Sequence, residues 1–125
     1  MSVALFPARR FAYALAAAAL LTAVVLETRS QGTGLWQAFA FGFGPDLALF
    51  LGIGAGLERG QLHPRAVSTY NLVHLYYLPV ALAIAAAVGL VPLGFLVGAL
   101  AWAFHISLDR TVGYRLRARD GRQRA

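Results

Sequence analysis

Four stretches of this sequence, about residues 11–26, 35–56, 66–88 and 93–108, are almost free of charged side chains. Each is close in length to the ~20 apolar residues a helix needs to cross a bilayer. The 125 residues are 59% hydrophobic and only 13% charged, which is too apolar for a soluble domain of this size. The architecture expected is therefore all-α: a single four-span integral membrane domain over 1–125, with residues 109–125 as a basic tail. The lipid bilayer is the first partner this implies.

The charges fall at span ends. Eleven Lys+Arg against five Asp+Glu would suggest nucleic acid in a soluble protein, but here they read as topology signals, so no nucleic-acid partner is expected. Ten arginines (Arg9, Arg10, Arg59, Arg65, Arg110, Arg115, Arg117, Arg119, Arg122 and Arg124) lie on one side of a four-span arrangement, and Arg29 alone lies on the other. The positive-inside rule then places both termini in the cytoplasm. Arg9 and Arg10 before an apolar run resemble the start of a signal peptide. The run ends in Val24, Val25, Leu26 and Glu27 instead of small residues, so an uncleaved first span is the better reading. Every basic residue is arginine, and Ala and Gly abound, a composition that suits a GC-rich bacterial genome and an inner-membrane location. With no cysteine there is neither a disulfide nor a thiolate metal site.

The second span carries Gly42, Gly44, Pro45 and Asp46, and a proline inside a helix removes a bond and clashes with the preceding turn. A kink or break near Pro45 is expected. In the third span Tyr70, Asn71, His74, Tyr77 and Leu78 share a stripe that continues through Ala81 and Ala85. In the fourth, Gly94, Gly98, Trp102, His105 and Asp109 lie within roughly 60° of one another at 100° per residue. Small residues on the outer half of both faces suit close packing, and the inner halves carry polar groups. These two faces are expected to meet, joined by Asp46. Gly52, Gly54 and Gly56 lack the strand and lysine of a phosphate loop and are read as helix-packing residues.

An ionised carboxylate at the bilayer centre costs about 2.5 to 3.5 kcal/mol on insertion scales, so Asp46 needs a partner or a proton, and His74 and His105 can supply either. Asp46, Tyr70, Asn71, His74, His105 and Asp109 are therefore the candidate polar cluster. Three functions are compatible with it. The cluster is a structural or binding network; or Asp46, His74, His105 and Asp109 bind a divalent metal such as zinc and hydrolyse a lipid-like substrate; or it lines a proton or small-solute path. No two-histidine helix motif such as HExxH is present. Arg110 and Tyr114 mark the headgroup boundary, and the tail RLRARDGRQR suits anionic lipid headgroups. A transporter of four spans would need a homo-oligomer.

The Pro45–Asp46 pair, YNLVHLYYLP from Tyr70 to Pro79, and WAFHISLDRTVGY from Trp102 to Tyr114 resemble the domain of unknown function 4260 family of small bacterial integral membrane proteins. The resemblance covers about residues 35–116. It implies that Pro45, Asp46, Tyr70, Asn71, His74, Pro79, Trp102, His105, Asp109, Arg110, Gly113 and Tyr114 are signature positions, and it implies no activity. Two departures stand out. Arg115 and Arg117 replace a glycine and a lysine that often follow Tyr114, and Phe50, Leu51 and Gly52 stand where the family usually has a Gly-Tyr pair.

Overall fold

The computed structural model describes residues 7–124; the first six residues, and Ala125 of the expected tail, lie outside them. Six α-helices follow in order: α1 (Ala8–Gln31), α2 (Leu35–Phe43), α3 (Ala48–Leu51), α4 (Val67–Val73), α5 (Tyr77–Ala87) and α6 (Gly94–Val112). The fold is all-α; among the described residues the only β feature is a single bridge between Arg117 and Gln123. Two segments are long and apolar enough to cross a membrane, Ala8–Gln31 and the interrupted Pro64–Ala87. Leu35–Leu51 is apolar but shorter, and α6 carries His105, Asp109 and Arg110 in its last two turns.

Helix boundaries differ from expectation where local chemistry decides them. The first helix runs past Leu26 to Gln31 and ends at Gly32, whose positive φ of 65° lets its N–H bond the Thr28 carbonyl. Around Pro45 the second segment tightens into a 3₁₀ turn, Gly44–Leu47, and continues as α3, so the expected interruption takes the form of a tightened turn. It stops at Leu51, not Gly56, and residues 52–63 form a loop. Gly52 serves that loop, since a Cβ there would lie 2.5 Å from Leu62 Cδ2. The expected fourth span, α6, extends to Val112, which places Asp109 on the helix and outside the tail. It ends at Gly113, with φ 106°, whose N–H returns to the Asp109 carbonyl.

The third segment is broken between Val73 and Tyr77, a break that the stripe of Tyr70, His74 and Tyr77 did not foretell. Pro79 has no N–H to offer the Leu75 carbonyl and its ring crowds that carbonyl, so the α-helical ladder loses a bond at this point, where the break falls. The carbonyls released by the break are caught from α6. Trp102 Nε1 donates to the Val73 carbonyl at 2.8 Å, and Arg110 Nη2 donates to the His74 carbonyl at 2.9 Å. Capturing both carbonyls keeps a buried break satisfied.

Helix α6 is the central element and packs on α1, α2 and α5. Its glycines meet α2, not the alanines of α5. A Cβ on Gly98 would lie 2.7 Å from Phe41 Cδ2, and one on Gly94 would lie 2.6 Å from Gln37 Nε2. Ala81 is exposed, and so is Tyr77, so the expected α5 stripe does not form the interface. Val97, Ile106 and Ser107 are fully buried around this axis.

Residues 113–124 are not a loose tail. They fold into a small turn that docks on the loop after α3: Leu62 N–H donates to the Gly121 carbonyl, and Arg122 pairs with Glu58 and Asp120. The Arg122 side chain holds the Glu58 carboxyl below the usual carboxylate range. Its backbone N–H first, then its side chain, do the same for Asp120. Arg117 is 5% exposed, donates to the Gly60 carbonyl at 2.6 Å, and lies over the Tyr70 ring at 5.2 Å. Asn71 clasps the backbone of Arg117, accepting from its N–H at 2.7 Å and donating to its carbonyl at 3.0 Å.

Asn71→Ala removes both of these bonds, at about 1 kcal/mol each. Tryptic cleavage within residues 115–124 is then expected to accelerate about thirtyfold, at 1.36 kcal/mol per factor of ten. Cleavage at the wild-type rate would show that the clasp does not hold the tail.

Candidate metal centre

The carbonyls of α2's last turn lack partners within that helix. One of them, Gly42, accepts from His105 Nδ1 on α6 at 2.8 Å. On the opposite side His74 ends α4, and its Nδ1 donates to the Tyr70 carbonyl at 2.8 Å. The Tyr70 ring stacks on the His74 imidazole, with centroids 4.0 Å apart. A carbonyl oxygen can only accept, so both Nδ1 atoms carry the proton and both Nε2 lone pairs point inward.

These two Nε2 atoms lie 3.4 Å apart. Asp46 Oδ1 is 3.1 Å from His105 Nε2 and 3.5 Å from His74 Nε2. Asp109 Oδ2 is 3.4 Å from each. One ligand atom from each of the four residues lies within 4.8 Å of the other three. Burial is graded: the side chain of His74 is 2% exposed, His105 10%, Asp109 20% and Asp46 50%. The site is closed on the α4 side and open toward Asp46.

With neutral imidazoles, four lone-pair donors face one another with no hydrogen between them. That arrangement is relieved when protons are taken up by the cluster or when a cation sits at its centre. Zinc bonds to nitrogen and oxygen of about 2.0–2.2 Å set a tetrahedral edge of about 3.3–3.6 Å. Four of the five distances above fall in this range and the fifth, 3.1 Å, lies just below it, while the sixth separation, between the two carboxylates, is within 4.8 Å. The Nδ1–H bonds to backbone carbonyls are the outer support that fixes ring orientation and tautomer in histidine metal sites.

Of the residues the sequence singled out, Asp46, His74, His105 and Asp109 converge. Tyr70 stands directly behind His74. Asn71, expected in the cluster, points away to the tail. Arg110 braces the His74 carbonyl, and Tyr114 is half exposed, its carbonyl accepting from Arg110. The Gly42 carbonyl and the bracing by Trp102 and Arg117 were not foreseeable from residue types; a backbone acceptor leaves no such signal.

An all-α chain in which short apolar helices bring two imidazoles and two carboxylates to one point defines the class. Residues 10–124 match the family described as Domain of unknown function (DUF4260), and the chain belongs to it. The match takes in α1, beyond the expected start near residue 35. No curated protein and no solved structure matches the chain.

Proposed function

We propose that this chain is a four-span membrane protein, with both termini on its arginine-rich cytoplasmic side, that holds zinc or another first-row divalent ion between Asp46, His74, His105 and Asp109. Lipid as the solvent is supported by the surface. Phe11, Leu15, Leu26, Phe39, Phe43 and Ile84 are all more than half exposed, and Ala17 is the only buried residue of α1. A helix so little covered has its apolar face satisfied by acyl chains.

One observation carries the metal reading: two imidazole nitrogens and two carboxylate oxygens converge with five of their six separations at 3.1–3.5 Å, and each imidazole's other nitrogen is committed to a carbonyl. The ion ties α2–α3, α4 and α6 together, so it is an organising element of the bundle. Metal analysis of the protein purified in detergent with zinc present is expected to give one equivalent per chain. His74→Ala and Asp109→Asn should each abolish it. A wild-type protein that retains no metal would end this reading.

A second reading, hydrolysis of a lipid-like substrate, is favoured by a cavity of about 540 Å³ lying on α6 between α1 and α2. Leu21, Val25, Phe39, Phe43 and Leu108 line it, and its polar residues are Thr28 and Arg29 of α1 together with Asp46, His105 and Asp109. Such apolar walls suit an acyl chain, and Asp46, His74, His105 and Asp109 would hold the ion at the cavity's wall, where, when bound, it would supply Lewis-acid activation of a water for hydrolysis. Fatty-acid or headgroup release from phospholipid vesicles by zinc-loaded protein, absent in Asp109→Asn, tests it. No turnover by the loaded wild type would leave metal binding alone.

A further inference from the structure

On the other side of His74 lies a separate cavity of about 340 Å³, and its walls carry Arg9, Arg10, Arg110, Arg115 and Arg124. Among the described residues lining it, none is acidic. The α1 start, the α6 end and the folded tail each contribute arginines. Three of the guanidiniums are held by backbone carbonyls: Arg10 Nε by Thr111 at 2.7 Å, Arg110 Nη2 by His74 at 2.9 Å, and Arg124 Nε by Arg117 at 3.1 Å. A guanidinium has five N–H donors, so Arg110 and Arg124 keep others to offer. Tyr13 and Tyr114 add two phenols to the same wall.

Arginines that only set topology have no reason to converge on one concavity. Those of the tail go to different places. Arg117 is buried in the fold and Arg122 is ion-paired at the surface, whereas Arg115 and Arg124 turn to this cavity. Several like charges held in place repel one another, and an anion between them relieves that repulsion. Planar guanidiniums with spare N–H groups match the oxygens of a phosphate in bidentate fashion. We infer that this cavity binds a phosphate group carrying two negative charges. It comes either from a phosphomonoester lipid headgroup at the membrane surface or from free phosphate. Such binding does not depend on the metal centre.

The test uses the full-length protein, purified with its metal, and two probes. Inorganic phosphate is titrated calorimetrically, and phosphatidic acid is scored by co-purification after reconstitution in phosphatidylcholine with and without it. The variant is Arg9→Gln/Arg115→Gln, whose exposed side chains make no backbone-holding bond of the kind above, so the fold and the metal content are expected to stay as in the wild type. Saturable one-to-one binding of phosphate, weakened about tenfold or more in the variant, supports a soluble source. Retention of phosphatidic acid but not phosphate, lost in the variant and kept in Arg29→Gln, supports a lipid source. Binding of neither probe, or equal binding by wild type and variant, overturns the proposal.

Discussion

Chelation is expected to lower the melting temperature of the wild-type protein by several degrees, and the melting temperature of His105→Ala should not respond to chelator or added metal. A ligand that binds only the folded state contributes RT ln(1 + [L]/Kd), which is about 2.7 kcal/mol at a hundredfold excess over Kd and about 4.1 at a thousandfold. The pH dependence separates this from the metal-free alternative by its sign. Binding a cation requires both imidazoles to be deprotonated at Nε2, so affinity falls as pH drops below the ordinary imidazole range near 6.5, by up to about tenfold per pH unit for each histidine. If two imidazoliums paired with the carboxylates held the site instead, acidification through that same range would load the second protons and raise the melting temperature. Melts with and without chelator at pH 7.5 and 5.5 decide it. Stabilisation on acidification, with no effect of chelator, would remove the metal.

The four converging residues were legible because polar groups in an apolar segment have few places to go. His105 and Asp109 are one turn apart on α6, and His74 and Asp46 each interrupt a hydrophobic stretch. The all-α class follows from the same apolar lengths. What the sequence concealed is of another kind. Asn71 shares a stripe with His74 in a continuous helix, but the chain breaks at residues 74–76, and Asn71 turns to a tail 46 residues away. Pro79 foreshadows that break, yet sits in the first turn of α5, where proline is well tolerated, so its position alone does not choose between starting a helix and kinking one. Arg117 reads as one more basic tail residue; its burial depends on carbonyls at Gly60 and Gly121 that only the folded loop presents.

The signature positions have distinct roles around this site. Asp46, His74, His105 and Asp109 supply the converging atoms. Tyr70 orients one imidazole through its carbonyl and its ring, Trp102 and Arg110 complete the broken turn that His74 begins, and Gly113 closes the helix that carries Asp109. Most of the Tyr-Asn-x-x-His and Trp-x-x-His-x-x-x-Asp-Arg motifs therefore converge on one requirement, that His74 be held at a helix end with its Nε2 facing α6.

Gly98→Leu is expected to damage the site without touching a ligand. Gly98 is buried where α6 crosses α2, and even a Cβ would stand 2.7 Å from Phe41 Cδ2, 3.1 Å from Gln37 Cβ and 3.4 Å from the Gln37 carbonyl. The ring can swing aside, but the backbone of Gln37 cannot, so a leucine pushes α2 away from α6. Overpacking of this kind typically costs about 1–3 kcal/mol. The displacement also carries Gly42 and Asp46, which lie on the same segment one and two turns beyond Gln37 and supply the His105 acceptor and the half-exposed carboxylate. Loss of such outer support typically lowers metal affinity about 10–100-fold, and Gly98→Leu should fall at the upper end because a ligand moves with it. Ala81→Leu is the control: it places the same side chain on the exposed face of α5, where the sequence pattern alone would have put the helix interface, and should leave both melting temperature and metal affinity unchanged. If Ala81→Leu were the disruptive substitution and Gly98→Leu the neutral one, α6 would be packed on α5 through their small residues, and the route by which α2 delivers Asp46 to the two histidines would have to be redrawn.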